Sequence, residues 1–346
     1  MKSNERKDMA LSRRLVRLGI LPLCLFGLSG CYVTKQAYWQ TKLLLGREPI
    51  DDVESIPQSQ KKLISQILLE AKDIGLNVGG AYQHVVFPKN NTVSWSVSAS
   101  YPLELKSYTW WFPIVGKVPY KGFYDEAECQ EEAERLKADG FDVIQSRVSA
   151  FSSLGWFSDP IFPSMLKNDD SQLTHLLFHE LTHRTIWING GVEMNENLAE
   201  FIAEKATLSF LNSRSMDTLP YQDSRRDLGQ FADWVAGLEA DLKALYARDD
   251  LSEAQKTEKK PEVFARHFEN RPKGKAREYI GNLSRWNNAR VLATKTYLGR
   301  QDVLQNKFNC FRGFHLGNLK NQDLKKFIEA VKNDKTMASL EECKSI

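Results

Sequence analysis

Cysteine, histidine and net charge are all scarce in this chain. Five cysteines in 346 residues, scattered rather than set in close pairs, exclude a disulfide scaffold and a cysteine-based zinc framework. The formal charge is only +3, and the first thirty residues alone carry six Lys/Arg against two Asp/Glu, which leaves the remainder near −1. A near-neutral body offers no electrostatic footprint for nucleic acid, so no such partner is expected. Long apolar runs are missing after Leu28, which excludes a later membrane-spanning helix. What is present is ordinary for a globular protein: 42% apolar, 26% charged and 11% aromatic residues, enough to bury a core. The length allows one large domain or two modest ones.

The N-terminus reads as a processing signal. Arg13, Arg14 and Arg17 precede a short apolar run from Leu18 to Leu28, too short to span a bilayer comfortably. The run ends in Leu28-Ser29-Gly30-Cys31, which resembles the lipobox of bacterial lipoproteins. An ordinary secretory signal and a buried apolar strand are the other readings. The resemblance implies removal of residues 1–30, lipidation of Cys31 and attachment to a membrane through the acyl chains. Tyr32 follows the cysteine, not the Asp that retains such proteins at the inner membrane. An outer-membrane anchor facing the periplasm is therefore expected. Met9 can serve as the start, since Met1 to Asp8 add nothing to the signal. Cys24 would leave with it, and in an oxidising compartment Cys310 could pair with Cys343, leaving Cys129 free.

Beyond the signal, helical periodicity covers residues 35–46 and 57–74. Residues 92–101 alternate apolar and hydroxyl side chains strictly, as a half-buried strand does. Trp110 to Tyr124 reads as short strands and turns, Asp125 to Asp139 as a charged helix stopped by Gly140, and residues 141–150 as a returning strand. From residue 171 onward the pattern is helical, with Glu239 to Glu262 a solvated helical hairpin. The expected fold class is α+β, with a small mixed or antiparallel sheet within about 75–170 and a helical part over about 171–346. Together these make one domain, 31–346.

Residues 179–183 read His-Glu-Leu-Thr-His. On a helix, His179 and His183 project from one face and can reach one metal ion, while Glu180 lies one step round, placed to act as general base. A pair of surface histidines would give the same spacing. However, Leu173, Leu176, Leu177 and Phe178 before the motif, and Ile186 and Trp187 after it, mark a buried helix. Burying two histidines and a glutamate is costly unless they are paired or bind metal.

A third ligand follows from counting. The helix is expected to continue from His183 to Ile188, turn through Asn189-Gly190-Gly191 and return antiparallel. About five residues at 1.5 Å each bring Glu196 level with His183. Glu200, one turn further, comes level with His179, where it can orient that ring from behind. Two histidines, one glutamate and an open fourth position describe a catalytic zinc site holding one Zn2+ ion. His175 lies about 12 Å from His183 along the axis and is expected to be a satisfied buried histidine. His84, His267 and His315 show no partner pattern.

Asn195-Glu196-Asn197-Leu198-Ala199-Glu200-Phe201 is similar to the Asn-Glu segments that carry the third zinc ligand in aminopeptidase N-like and thermolysin-like enzymes. Twelve residues separate His183 from Glu196, fewer than in either family, and the Gly-x-Met-Glu-Asn element of aminopeptidase N relatives is missing. The chain more closely resembles the predicted bacterial aminopeptidases, zinc-type and lipobox-bearing. The likeness runs through Gly116 to Phe123, Ala150 to Pro160, the His179 helix and Asn287-Asn288-Ala289-Arg290. It implies a zinc-dependent peptidase acting on peptide substrates, with an aminopeptidase, an envelope endopeptidase and a zinc-stabilised binding module as the readings to separate. An aminopeptidase must hold a free α-amine, for which Glu193 or Glu204 could serve. An oxyanion donor is expected as well, with Tyr297 the candidate and Tyr120 comparable.

Overall fold

The computed structural model describes residues 32–88 (except 33, 37 and 44), 94–112, 116–148, 158–299, 301–312 and 320–333. The chain divides into two units, residues 1–47 and residues 48–346. In the first, residues 34–36 and 38–43 are helical, within the stretch of helical periodicity. Everything below belongs to the second unit, whose fold is α+β.

Small antiparallel sheets come first. Strands β1 (Glu48–Pro49) and β2 (His84–Val85) pair on either side of helix α1 (Gln58–Asp73). Strand β3 (Ser94–Ser100) is central in a sheet of order β6-β3-β7, between β6 (Tyr120–Phe123) and β7 (Asp142–Val148). Strands β4 (Trp110–Phe112) and β5 (Gly116–Val118) form a separate pair. Helix α2 (Glu126–Ala138) starts where Asp125 accepts from the backbone N–H groups of Ala127 and Glu128, and it packs on the three-stranded sheet.

The alternation in β3 divides the sheet into two faces. Val97 lies opposite Gln145, whose amide reaches Cys129 of α2, so Trp95, Val97 and Ala99 look toward α2. The serines look the other way. Ser98 lies opposite both Ile144 and Tyr120, and Ser100 opposite Asp142. Small side chains on this face allow a helix to lie close.

Helices follow from Asp170 on: α3 (Asp170–Thr185), α4 (Val192–Ser213), α5 (Leu219–Tyr246), α6 (Glu253–Glu269), α7 (Lys275–Ile280), α8 (Asn288–Leu298), α9 (Gln301–Arg312) and α10 (Asn321–Asn333). Helix α4 is buried along most of its length, and α1, α3, α8, α9 and α10 all pack on it. Helices α5 and α6 form the charged hairpin, and their inner faces make an apolar cluster with Trp286 and Val291. Cys129 is buried and free. Cys31, His315, Cys343 and the side chain of Cys310 lie outside the described residues.

Helix α8 crosses the serine face of the sheet and is pinned there at its N-terminus. Asn288 is fully buried; its amide donates to the carbonyls of Tyr101 (2.9 Å) and Pro102 (3.1 Å) and accepts from the Tyr246 hydroxyl (2.8 Å). Its backbone N–H donates to Asp142, and the Asn287 amide donates to the Val143 carbonyl. Removing the Asn288 side chain leaves several buried polar groups unpaired, which costs about 1–3 kcal/mol. Asn288→Ala is therefore expected to lower the urea midpoint by a corresponding amount with an unchanged m-value. An unaltered midpoint would show that this network does not secure α8.

Candidate metal centre

Helix α3 buries Leu173, Leu177, Phe178 and Leu181 around its circumference, so its polar residues are carried inside with them. His179, Glu180 and His183 are only 8%, 8% and 6% exposed. The helix stops at Thr185, three residues short of the stop expected at Ile188, because Ile186 turns to an extended conformation (φ −129°, ψ 122°). The side chain of Asn195 explains how the backbone leaves the helix without loss. Its oxygen accepts from the Ile188 N–H and its nitrogen donates to the Ile188 carbonyl, both at 2.8 Å. Gly190, at φ +73°, makes the reversal that a side chain would strain. Since Asn195 immediately precedes Glu196, this pairing fixes the start of α4, and the level expected from counting is retained.

Three donor atoms converge between the two helices. His179 Nε2 and His183 Nε2 are 3.1 Å apart, and Glu196 Oε2 is 3.3 Å from each. This group could hold a metal ion. Glu200 Oε2 lies 3.3 Å from His179 Nδ1, on the far side of the ring. With Nδ1–H donating to that carboxylate, the Nε2 lone pair points into the triangle. Helices α3 and α4 run antiparallel, as the pairing of His183 with Glu196 and of His179 with Glu200 requires.

Behind Glu200 lies a further layer that the sequence did not suggest. Arg225 of α5 donates to Glu200 Oε1 and, through Nε at 3.1 Å, to Glu204. His175 Nε2 is 3.1 Å from Glu200 Oε2, and its Nδ1 is 2.7 Å from the Tyr221 hydroxyl. His175 is thus a satisfied histidine. The partly buried guanidinium offsets two neighbouring carboxylates, but nothing in Ser224-Arg225-Arg226 distinguishes it from a surface arginine. His183 has no such orienter: its Nδ1 finds no hydrogen-bond partner among the described residues, and its ring packs edge-on to Trp187 at 6.1 Å.

The charges respond to this enclosure. Burial works to lower the pKa of His179, but hydrogen bonds to Glu196 and Glu200 outweigh it and raise the value. Burial likewise works against ionised Glu196 and Glu200, and in both cases histidine partners prevail and the carboxyl is held below its usual range. Glu180 behaves oppositely. Burial raises its pKa, against the pull of His179 and His183.

Two tyrosines close in from the sheet side. The ring of Tyr297 lies 6.5 Å from that of His179, nearly parallel at 27°, and Tyr120 on the serine face of the sheet feels the charges of Glu196 and Glu180. Burial, then Glu196, raises the pKa of each phenol, although 46% of the Tyr297 surface stays exposed. Tyr82 is a third, and it too was not foreseen. It is 2% exposed, feels Glu180, and sits at φ +61°, a conformation that costs a non-glycine residue free energy. The nearby Gly79-Gly80 pair was the available signal, since a Cβ on Gly79 would meet the Arg184 guanidinium at 2.5 Å.

Glu193 and Glu204 stay out of the triangle. Glu193 is exposed at the start of α4, its Oε1 beside Gly299, and Glu204 is engaged by Arg225 and Lys205. Among the other histidines, His267 Nε2 lies 2.8 Å from Asp241, and His84 is half-buried on β2, its Nδ1 without a hydrogen-bond partner among the described residues. Divalent-metal titration of the apo-protein should rank the acidic residues. Glu196→Ala should lose affinity as severely as His183→Ala, Glu200→Ala by roughly 10–100-fold, and Glu193→Ala not at all. Competition against a chelating dye measures this. Normal binding by the Glu196 variant would remove it from the ligand set.

No curated protein and no solved structure matches this chain. One family model, described as "Putative aminopeptidase", matches residues 31–345, nearly the whole length, and spans α3 and α4 together with the three-stranded sheet. The chain belongs to that aminopeptidase family.

Proposed function

We propose that the chain is a zinc-dependent aminopeptidase of the bacterial envelope, with His179, His183 and Glu196 as zinc ligands and Glu180 as general base. The observation that carries this reading is the size of the donor triangle. Ligand atoms at two corners of a zinc tetrahedron lie about 3.3 Å apart when the bonds are about 2.0–2.1 Å long. The edges here are 3.1, 3.3 and 3.3 Å. Nitrogen and carboxylate donors in a two-to-one ratio suit zinc, and three protein ligands leave a corner for the reaction.

A zinc ion held there would supply Lewis acidity to water and to the scissile carbonyl. Glu180, next to His179 and raised in pKa by burial, takes the proton from the attacking water and delivers it to the leaving amine. Tyr120, kept neutral by burial and by Glu196, and the partly exposed Tyr297 have a proton to donate to the oxyanion. Glu193, exposed beside Gly299 two residues beyond Tyr297, offers a carboxylate for the substrate's free amine.

Glu180→Gln is expected to retain zinc and lose roughly 10²–10⁴-fold in turnover. Mass-spectrometric profiling of a mixed peptide library, with and without chelator, provides the test. Stepwise loss of N-terminal residues, abolished by chelator, is the expected pattern. Internal cleavage would make the protein an endopeptidase, and turnover by the zinc-replete Glu180 variant would overturn the mechanism.

The envelope location rests on Leu28-Ser29-Gly30-Cys31, which resembles a lipobox. Two acyl chains anchor a protein stably where one does not. Cys31→Ala should move the protein from the membrane fraction to the soluble one. Wholly membrane-bound variant protein would argue against the lipid anchor.

A further inference from the structure

We infer that Arg290 binds a carboxylate of the peptide substrate, about three residues along from the bond that is cut. The inference rests on the peptidase reading above. Arg290 and Tyr297 are seven residues apart on α8, and at 100° per residue their side chains leave the helix within about 20° of each other. They are separated by two turns, about 10.5 Å along the axis. The Tyr297 end of this face looks onto the His179 ring. Other sides of α8 are occupied elsewhere: Lys295 by Glu239, Asn288 by the carbonyls of Tyr101 and Pro102, and Val291 by the apolar cluster.

Other enclosed cations among the described residues have partners, and even Arg271, whose Nε is likewise buried without one, donates through its guanidinium to the Phe268 carbonyl at 2.6 Å. Arg225 has Glu200 and Glu204, and Lys260 has Asp142. Arg290 is half-buried, its Nε is buried without a hydrogen-bond partner, and no ion pair joins it to a described residue. The charge that acts on it is a like one, Arg285, and burial followed by that repulsion lowers its pKa. It also stands in the first turn of α8, where the helix dipole disfavours a cation. A partly buried cation with no counter-charge among the described residues is costly. A guanidinium on the same face of α8 as Tyr297, whose ring meets that of His179, suits a carboxylate, which it can grip with two parallel hydrogen bonds. At about 3.3 Å per extended residue, 10.5 Å corresponds to about three residues of substrate.

The carboxylate could be the α-carboxylate of a short peptide or an Asp or Glu side chain in a longer one, and the test separates them. Zinc-loaded Glu180→Gln protein is titrated calorimetrically with tetra-alanine, with its C-terminal amide, and with amides carrying Asp at the third or fourth position. A carboxylate-bearing peptide should bind roughly tenfold to a hundredfold more tightly than the neutral amide, the range for hydrogen bonds to a charged group. Adding Arg290→Gln should abolish that difference, leave the neutral amide unaffected and not lower the thermal midpoint of the peptide-free protein. Arg290→Lys should restore part of the preference. Preference for tetra-alanine identifies the α-carboxylate, and preference for an Asp amide identifies a side chain. Equal binding of acids and amides overturns the assignment, as does a lowered midpoint, which would make Arg290 structural. Failure to bind any of the peptides would instead overturn the peptidase reading itself.

Discussion

Five ionisable side chains buried on two adjoining helices are the constraint around which this fold is arranged. His179, Glu180 and His183 enter from α3, and Glu196 and Glu200 from α4, none more than 8% exposed. Enclosing unpaired charge costs several kcal/mol per group, so the neighbours must be charged or polar in the right sense. Arg225 from α5 and His175 with Tyr221 supply that on one side. On the other, two imidazole nitrogens and a carboxylate oxygen meet with room for a cation among them. The apolar residues elsewhere on α3 and α4 keep this shell dry and so strengthen every interaction within it.

The sheet has a different task. One face is closed by α2, and the serine face receives α8, whose first turn is tied to Tyr101, Pro102, Asp142 and Val143. That attachment brings Tyr297 toward the His179 ring from the helix, while Tyr120 approaches Glu196 and Glu180 from β6. Ser98, opposite Tyr120, keeps the surface beneath it low. The two parts of the chain therefore contribute different chemistry to one place: donors for a cation from the helix pair, hydroxyl groups from the sheet and the helix on it.

Much of this was legible in the sequence because it depends on period and count. The two-residue alternation of residues 92–101 gave β3, the Asp125 cap opened α2, and counting back from the Gly190 turn set Glu196 opposite His183. What could not be read depends on distant partners. Arg225 acquires its meaning only from Glu200, twenty-five residues earlier in the chain. Tyr82 owes its left-handed backbone to the packing around it rather than to its own preference. The end of α3 was misplaced because Ile188 has its backbone satisfied by an asparagine side chain rather than by the next helical turn.

That asparagine has a consequence for how such a centre can diverge. Asn195 clasps Ile188 and closes a ring of chain over residues 188–195, with Gly190 and Gly191 at its tip. Residues added at the tip would enlarge the ring without loosening the clasp, and the helix beyond it would begin from the same place. Loop length is then uncoupled from ligand position. The number of residues between the second histidine and the glutamate becomes a poor measure of kinship, and the short interval found here can coexist with a centre of ordinary dimensions.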